Sequence, residues 1–563
     1  MAIAPCFLPI APFPYFSRPD DHGMNWPNCI LRNLKNPRTT ILIIVQLIFF
    51  FYYTNLFSSS ILDTLPVVVH VIHTGTPIGS PGNPSDANIN AMITLMNNAF
   101  QKNGANYGGA NIGIAFKLAT RSPTCGSTTG INRINGSNVN HYVAGGITAD
   151  TIAFPNSAHE LFVKQLSRWP NTDYINIWIV NMIDGNPGGN AGYAYFPEYN
   201  NALTDGIVIR ADAVDGINKT IIHELGHFFY LYHSFGNNWV SCESEANCNT
   251  QGDLICDTER CLFTYDCTAT TNPCTGLPWQ IADVPHGYTV LNNFMGYTDC
   301  QWMFTEGQKT RILYALNTFR TGLLSSLALQ APASIPSAAC NPTAVNGLSP
   351  FYGIERVTFG TMDVYSNTSA ADAAFYIDRT CNQQVTVNVG QTIPVSITGS
   401  YQNWAQIKVF IDYDNDGVFE PPAELVLDGN GGILSGNIVI PSSSIVMCTP
   451  LRMRVVADHP AAPPPTPCLL TGTPADGVGQ IEDYTVIVKP RAVESISTGN
   501  WNNPAVWSCN CIPSATDAVL IKTGHIITVP LALSNVYCAS VKLQPGGLLN
   551  AIANVHVAGG GCN

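Results

Sequence analysis

Charge is what this 563-residue chain has least of: Asp, Glu, Lys and Arg together make up 11% of it, against roughly a quarter in ordinary soluble domains. Lys and Arg number 25, the formal net charge is −13, and no basic cluster occurs. Nucleic acid is therefore not an expected partner, because its phosphates demand clustered positive charge. With so few charges, the polar surface must come from Asn, Thr, Ser and Gln, as suits an extracellular protein rich in β structure. The acidic balance fits calcium binding or plain solubility. Core material is ample, with 46% hydrophobic and 10% aromatic residues, which argues against wholesale disorder. The length implies about three or four folded units.

Cysteine, by contrast, is plentiful at 18 residues, and seven fall between Cys242 and Cys300. Most of these lie outside CxxC spacing, so disulfides in an oxidising compartment are expected rather than a second zinc site. Their pairing is open; the close pair Cys509 and Cys511 either forms a strained bridge or, as the favoured reading, contacts two different partners. Arg32, Lys35 and Arg38 precede an apolar run from Ile41 to Phe57, which Ser58, Ser59 and Ser60 follow. A positive flank, an apolar core and small residues make a signal peptide or a signal-anchor, the latter giving membrane anchoring through residues 40–57. Met24 is a candidate initiator. Secretion or display at the cell surface is the expectation.

Composition and periodicity divide the chain into five stretches. Residues 1–61 form a tail with the export segment. Residues 62–330 alternate strand runs, such as Val67–Ile72 and Ile175–Val180, with helical spacing at Ile89–Phe100, a long helix from near Lys219, and another over Thr305–Leu329. An α/β half is expected there. Residues 331–350 are rich in Pro, Ala and Ser and read as a linker. Residues 351–490 carry period-two alternation broken by Gly, Asn and Pro, the pattern of a β-sandwich. Residues 491–563 hold short strands around Ala518–Ile521 and Ile526–Val529.

The chemistry concentrates in His223-Glu224-Leu225-Gly226-His227, followed by His233. Residues four apart share one helical face, so His223 and His227 can offer imidazole nitrogens to one ion. Glu224 lies beside them, within reach of a water on that ion. A third ligand on the same helix would point elsewhere, so the chain must turn to bring His233 round. Three neutral imidazoles leave a fourth position open, the signature of a catalytic rather than a structural zinc site. A decoy sits upstream: His159-Glu160 starts identically but lacks the second histidine.

HExxHxxxxxH with Asn293-Phe294-Met295-Gly296-Tyr297 downstream resembles the metzincin clan, and further blocks resemble its pappalysin and cytophagalysin family, peptidase M43. They include Leu65–Ile72, Leu95–Phe100, Tyr174–Trp178, Ala191–Pro197 and Gly252-Asp253-Leu254-Ile255-Cys256-Asp257-Thr258. The resemblance spans about residues 62–325. It implies an α+β metzincin-like catalytic domain and an endopeptidase of protein or peptide substrates. It also implies Met295 as an apolar floor beneath the imidazoles and Tyr297 as a helper that stabilises the oxyanion. Glu259 replaces the family's proline after Asp257-Thr258. Tyr230 stands where the clan has glycine, at a turn that often needs positive φ; a left-handed tyrosine costs on the order of 1–2 kcal/mol. Asp253 and Asp257 are candidates for a structural calcium ion or for loop hydrogen bonding.

Behind this domain, Asp412-Tyr413-Asp414-Asn415-Asp416-Gly417 opens like a DxDxDG calcium loop, with hard oxygens at alternating positions. Its twelfth position is Ala423 and no helices flank it, so it is not an EF-hand. Its surroundings and Gly479-Gln480-Ile481-Glu482-Asp483-Tyr484 resemble the GEVED module of secreted bacterial proteins. Asn500–Pro504 with Thr523-Gly524-His525 resembles the start of a parallel β-helix module. The alternative to a peptidase is a surface adhesion protein whose metzincin domain is a scaffold and whose β modules contact glycan or matrix.

Overall fold

The computed structural model describes residues 63–557 apart from 200, 202, 243–245, 333 and 367–373. The export segment with residues 40–57, Met24 and the terminal glycines 559–561 lie outside the described residues. Among the described residues, no helix is long and apolar enough to cross a membrane.

The first region is built on a six-stranded sheet: β1 (Asp63–His73), β2 (Ile114–Leu118), β3 (Ile131–Asn135), β4 (Ile175–Val180), β5 (Gly192–Ala194) and β6 (Ile207–Arg210). β1 is central. Its first half pairs with β2 and its second half with β3, while β4 runs along its other edge, all in parallel. A strand covered on both faces must be apolar throughout, which is why Leu65-Pro66-Val67-Val68-Val69 is a continuous run rather than an alternation. β6 pairs with β4 in parallel, and β5 closes the sheet as a short antiparallel edge.

Three helices matter for the site: α1 (Asp86–Phe100), α2 (Thr220–Phe228) and α3 (Glu306–Phe319). Ser85 caps α1 by accepting the Asn88 N–H at 3.2 Å. Met96 and Phe100 of α1 share one core with Val67, Val69 and Val71 of β1 and with Ile221, Ile222 and Leu225 of α2. The opposite face of the sheet is closed by Tyr142, Val163, Trp178 and Ile183. The helix expected to be long from Lys219 is only nine residues. It stops because Tyr230 adopts a left-handed conformation, φ 76°.

Strands dominate beyond residue 350. Ile354–Phe359, Met362–Tyr365, Thr392–Gly399 and Ile433–Val439 form a four-stranded antiparallel sheet, and a six-stranded sheet centres on Pro450–Asp458 and Gln480–Lys489. Val357, Phe359 and Ile397 of the first pack in one core with Ile407, Val455 and Val486 of the second. Residues 491–557 stack parallel ladders, such as Arg491–Glu494 on Asp517–Ile521 on Ser540–Leu543, over a core holding Trp501, Trp507 and Ile527.

Disulfides tie these parts together. Cys125–Cys381 joins the first region to the second, and Cys340–Cys468 pins the segment between them. Beside the first, Arg121 Nη1 donates to the Cys381 carbonyl at 2.7 Å. Six of the seven cysteines between 242 and 300 pair among themselves, as Cys242–Cys274, Cys248–Cys256 and Cys267–Cys300. Cys261 is buried and forms no disulfide. Cys509 and Cys511 bond to each other rather than to two partners, because the turn at Asn510, φ 49°, folds the two side chains together.

Candidate active site

Helix α2 buries Ile221, Ile222, Leu225 and Phe228 against the sheet, and its other face carries the candidate ligands. His223 and Glu224 are buried, 5% and 6% exposed. The helix ends in the hydrogen bonds of a Schellman motif: Tyr230 N–H donates to the His227 carbonyl at 2.9 Å and Leu231 N–H to that of Gly226 at 2.8 Å. The left-handed position of that motif is usually glycine; here Tyr230 fills it. Its strain is offset by what it touches. Its hydroxyl donates to Glu198 Oε2 at 2.5 Å, Arg311 Nε donates to its carbonyl at 2.6 Å, and the Arg311 guanidinium lies 4.3 Å over its ring. The turn sends the chain back so that His233 faces the helix.

Three imidazole nitrogens then converge. His227 Nε2 lies 3.1 Å from His223 Nε2 and 3.2 Å from His233 Nε2. The far nitrogens explain what these atoms can do. His223 Nδ1 donates to the Phe294 carbonyl and His227 Nδ1 to the Leu231 carbonyl, each at 2.7 Å. Neutral rings that donate from Nδ1 leave a lone pair on Nε2, so His223 and His227 can turn those lone pairs toward one ion together with His233, and the donor chemistry fits a borderline-soft divalent metal. Burial holds the rings neutral: His227 is lowered to about 4 and His233 to about 3, the neighbouring His227 adding to the second shift. Burial pushes Glu224 the other way, up to about 8.

Met295 is fully buried under the helix. Its N–H donates to Asn293 Oδ1 at 2.9 Å, and its carbonyl accepts Ser234 N–H at 3.0 Å, which joins the methionine turn to the chain next to His233. The Tyr297 hydroxyl lies 2.9 Å from His233 Nε2, and burial with nearby Glu224 raises it to about 12. Asp253 and Asp257 act through hydrogen bonds. Asp253 accepts Ile255 N–H at 3.0 Å and the Thr258 hydroxyl at 2.8 Å; Asp257 accepts Thr305 Oγ1 at 2.7 Å and Gly307 N–H at 2.8 Å, so it anchors the start of α3. Asp412, Asp414 and Asp416 form a separate acidic group in the second region.

A cleft of about 590 Å³ lies in front of the histidines, lined by Gly192, Tyr193, Phe196, Glu224, Trp239 and Tyr297. A second hollow of about 830 Å³ shares His223, Glu224 and Tyr297 with it and extends to Lys219, Asp299 and Trp302. β5 borders the cleft so closely that a Cβ on Gly192 would lie 3.0 Å from Glu224 Cγ. Behind β5, the decoy glutamate serves the packing instead. Glu160 pairs with fully buried Lys164 at 2.7 Å and accepts hydroxyl hydrogen bonds from Tyr193 and Tyr195. Nothing in the sequence marks Trp239 or this network, because both depend on which loops fold over the cleft.

A buried carboxyl beside a trio of metal-seeking nitrogens, in an open cleft, belongs to the metal-dependent hydrolases, and this chain is a metalloprotease. Residues 158–317 match the family model of pregnancy-associated plasma protein-A, and residues 406–487 match that of the GEVED domain. The first match is to the pappalysin family, peptidase M43, and falls on the region that holds the histidines; the second falls on the strand-rich region behind it. An extracellular metalloprotease of Pyricularia oryzae is 29% identical over 272 residues, 46% of this chain and 77% of that protein. One of Arthroderma gypseum is 30% identical over 191 residues, 31% of this chain and 59% of that protein. Mature mirolysin of Tannerella forsythia, solved with a cleaved peptide, is 26% identical, covering 48% of this chain and 98% of that one, at a TM-score of 0.34. The two fungal relatives are named as metalloproteases, and the adhesive-scaffold alternative is not favoured.

Proposed function

We propose that this protein is a secreted zinc endopeptidase that hydrolyses protein substrates with His223, His227 and His233 as metal ligands and Glu224 as general base. The observation that carries the reading is that the Nε2 atoms of His223 and His233 both lie within 3.2 Å of His227 Nε2, beside buried Glu224. Zinc held there would supply a Lewis acid that polarises the scissile carbonyl and acidifies the attacking water. Glu224 takes the proton of that water on its carboxylate and passes it to the departing amine. Tyr297 reaches the ligand cluster and donates its hydroxyl hydrogen to the developing oxyanion. The antiparallel edge of β5 offers backbone groups to an extended peptide, which sets the chain across the cleft. Met295 serves as the apolar floor.

The remaining boundaries belong to the same reading. The peptidase occupies residues 62–330 and a joining segment 331–350. A β-sandwich spans 351–490, its two sheets sharing one core, and the parallel ladders of 491–557 are the beginning of a β-helix-like module. Secretion accords with six disulfides among the described residues. The test is direct: measure zinc in the purified protein and compare casein cleavage by wild type and Glu224→Ala. The expected result is about one zinc per chain in both and cleavage only in wild type. Equal cleavage by the two would sink the base assignment, and absence of zinc would sink the site.

A further inference from the structure

The loop between strands Ala405–Ile411 and Leu425–Gly431 gathers five carboxylates. One oxygen each of Asp412, Asp414 and Asp416 lies within 4.8 Å of the others, and Asp414, Glu420 and Glu424 meet the same limit. Acidic side chains this close repel one another unless a cation lies among them. Clusters of exposed acids occur without any ion, so the state of the buried member decides. Asp412 is 0% exposed. Its Oδ2 accepts the Gly417 N–H at 2.9 Å, but its Oδ1 is sealed from solvent without a hydrogen-bond partner. Buried polar atoms are almost always satisfied, by protein, water or an ion, and a carboxylate oxygen facing other carboxylates is satisfied by a cation.

Glu424 completes the site from an unexpected place. The twelfth residue of the loop, where an EF-hand has its glutamate, is Ala423, and the next residue turns inward instead. Glu424 Oε1 accepts the Tyr413 N–H at 2.6 Å and Oε2 the Glu420 N–H at 3.1 Å, which hold this carboxylate across the mouth of the loop. Oxygen ligands alone, from several carboxylates in one loop, suit calcium rather than zinc.

The loop is also where the joining segment rests. Asn415, with φ 59°, accepts the Ser337 N–H on its Oδ1 at 3.2 Å. Gly417 has φ +87°, and a Cβ there would collide with the Ala338 carbonyl oxygen. Asn415 and Gly417 thus alternate with the acidic residues along the loop and face the segment that Cys340–Cys468 pins nearby. We propose that Asp412, Asp414, Asp416, Glu420 and Glu424 bind a calcium ion, and that the ion locks residues 337–340 onto the GEVED domain. Drawn together by the ion, the carboxylates fix the backbone that carries Asn415 and Gly417. Without it, their repulsion spreads the loop and releases the segment joining this domain to the peptidase.

The experiment uses the full-length, zinc-replete, calcium-free protein. Calcium is titrated in by calorimetry, and amide exchange over 331–345 and 412–424 is followed with and without millimolar calcium. The expected dissociation constant is about 0.1–1 mM, the range of extracellular modules, with exchange slowing in both segments. Asp412→Asn and, separately, Glu424→Gln should weaken binding by about tenfold or more, with casein cleavage and far-ultraviolet circular dichroism reporting that each is folded. Asn415→Ala should keep the binding and lose the slowing at 331–345. Equal calcium uptake by wild type and both carboxylate variants would overturn the site. Calcium binding by wild type with no change at 331–345 would overturn the lock.

Discussion

A Cβ on Gly226 would collide with the sulfur of Met295, so the helix that carries the histidines rests directly on the methionine beneath them. The glycine between Glu224 and His227 is there for contact, not for flexibility. Gly226→Ala improves helix propensity by about 1 kcal/mol, but it forces a fully buried methionine to move, and overpacking costs typically about 1–3 kcal/mol. The net expectation is a small loss of stability and a weaker hold on zinc, read by denaturant unfolding and by chelator competition. Unchanged zinc affinity in this variant would show that Met295 does not set the positions of the imidazoles.

Tyr230 separates backbone strain from side-chain contact. Tyr230→Gly relieves about 1–2 kcal/mol of left-handed strain and loses the Glu198 hydrogen bond and the Arg311 stacking, each on the order of 1 kcal/mol. It should lie within about 1 kcal/mol of wild type. Tyr230→Ala keeps the strain and loses the contacts, so it should be roughly 1–3 kcal/mol less stable than wild type, as measured by unfolding midpoints. If the alanine variant matches the glycine variant, the left-handed turn carries no strain worth counting.

Tyr297→Phe removes one hydroxyl from the mouth of the ligand cluster. Loss of a single oxyanion donor costs about 10²–10³ in kcat elsewhere; an outer tyrosine with an exposed path to water is expected at the lower end. KM for a peptide substrate and bound zinc should hardly change. A variant with wild-type kcat would assign Tyr297 to packing among Phe235, Trp239 and Phe263, whose rings it meets at 5.5–6.1 Å.

His70 makes stability sensitive to acid. It is 0% exposed in the middle of β1, stacked on Trp178 at 5.4 Å and hydrogen-bonded to Asn176 Oδ1 at 2.9 Å. Burial holds it down from 6.5 to about 4, against the opposing pull of Asn176. Between those two values the unfolded chain binds a proton that the folded chain refuses. Stability therefore falls as pH drops from 6.5 toward 4, by roughly 3 kcal/mol in all, and is indifferent to His70 above that window. His70→Phe should show a correspondingly smaller loss between about pH 7 and pH 4.5 in denaturant unfolding. The same acid loss in both proteins would mean that His70 is not the group responsible.

The sequence by itself determined the helix register of His223, Glu224 and His227, the need for a turn before His233, and the strand runs of the peptidase region. Each of these is written in spacings of two to six residues, where backbone geometry alone says which side chains share a face. Tertiary structure decided the rest. It set Met295 under Gly226, which lies 69 positions away in the chain, paired the cysteines, and gave the decoy Glu160 a buried lysine instead of a metal. Glu424 joined the acidic loop from outside the DxDxDG motif, because the strand that follows sets where its side chain enters. Contacts between residues distant in sequence depend on how sheets and loops pack against one another, and no local pattern of amino acids records that packing.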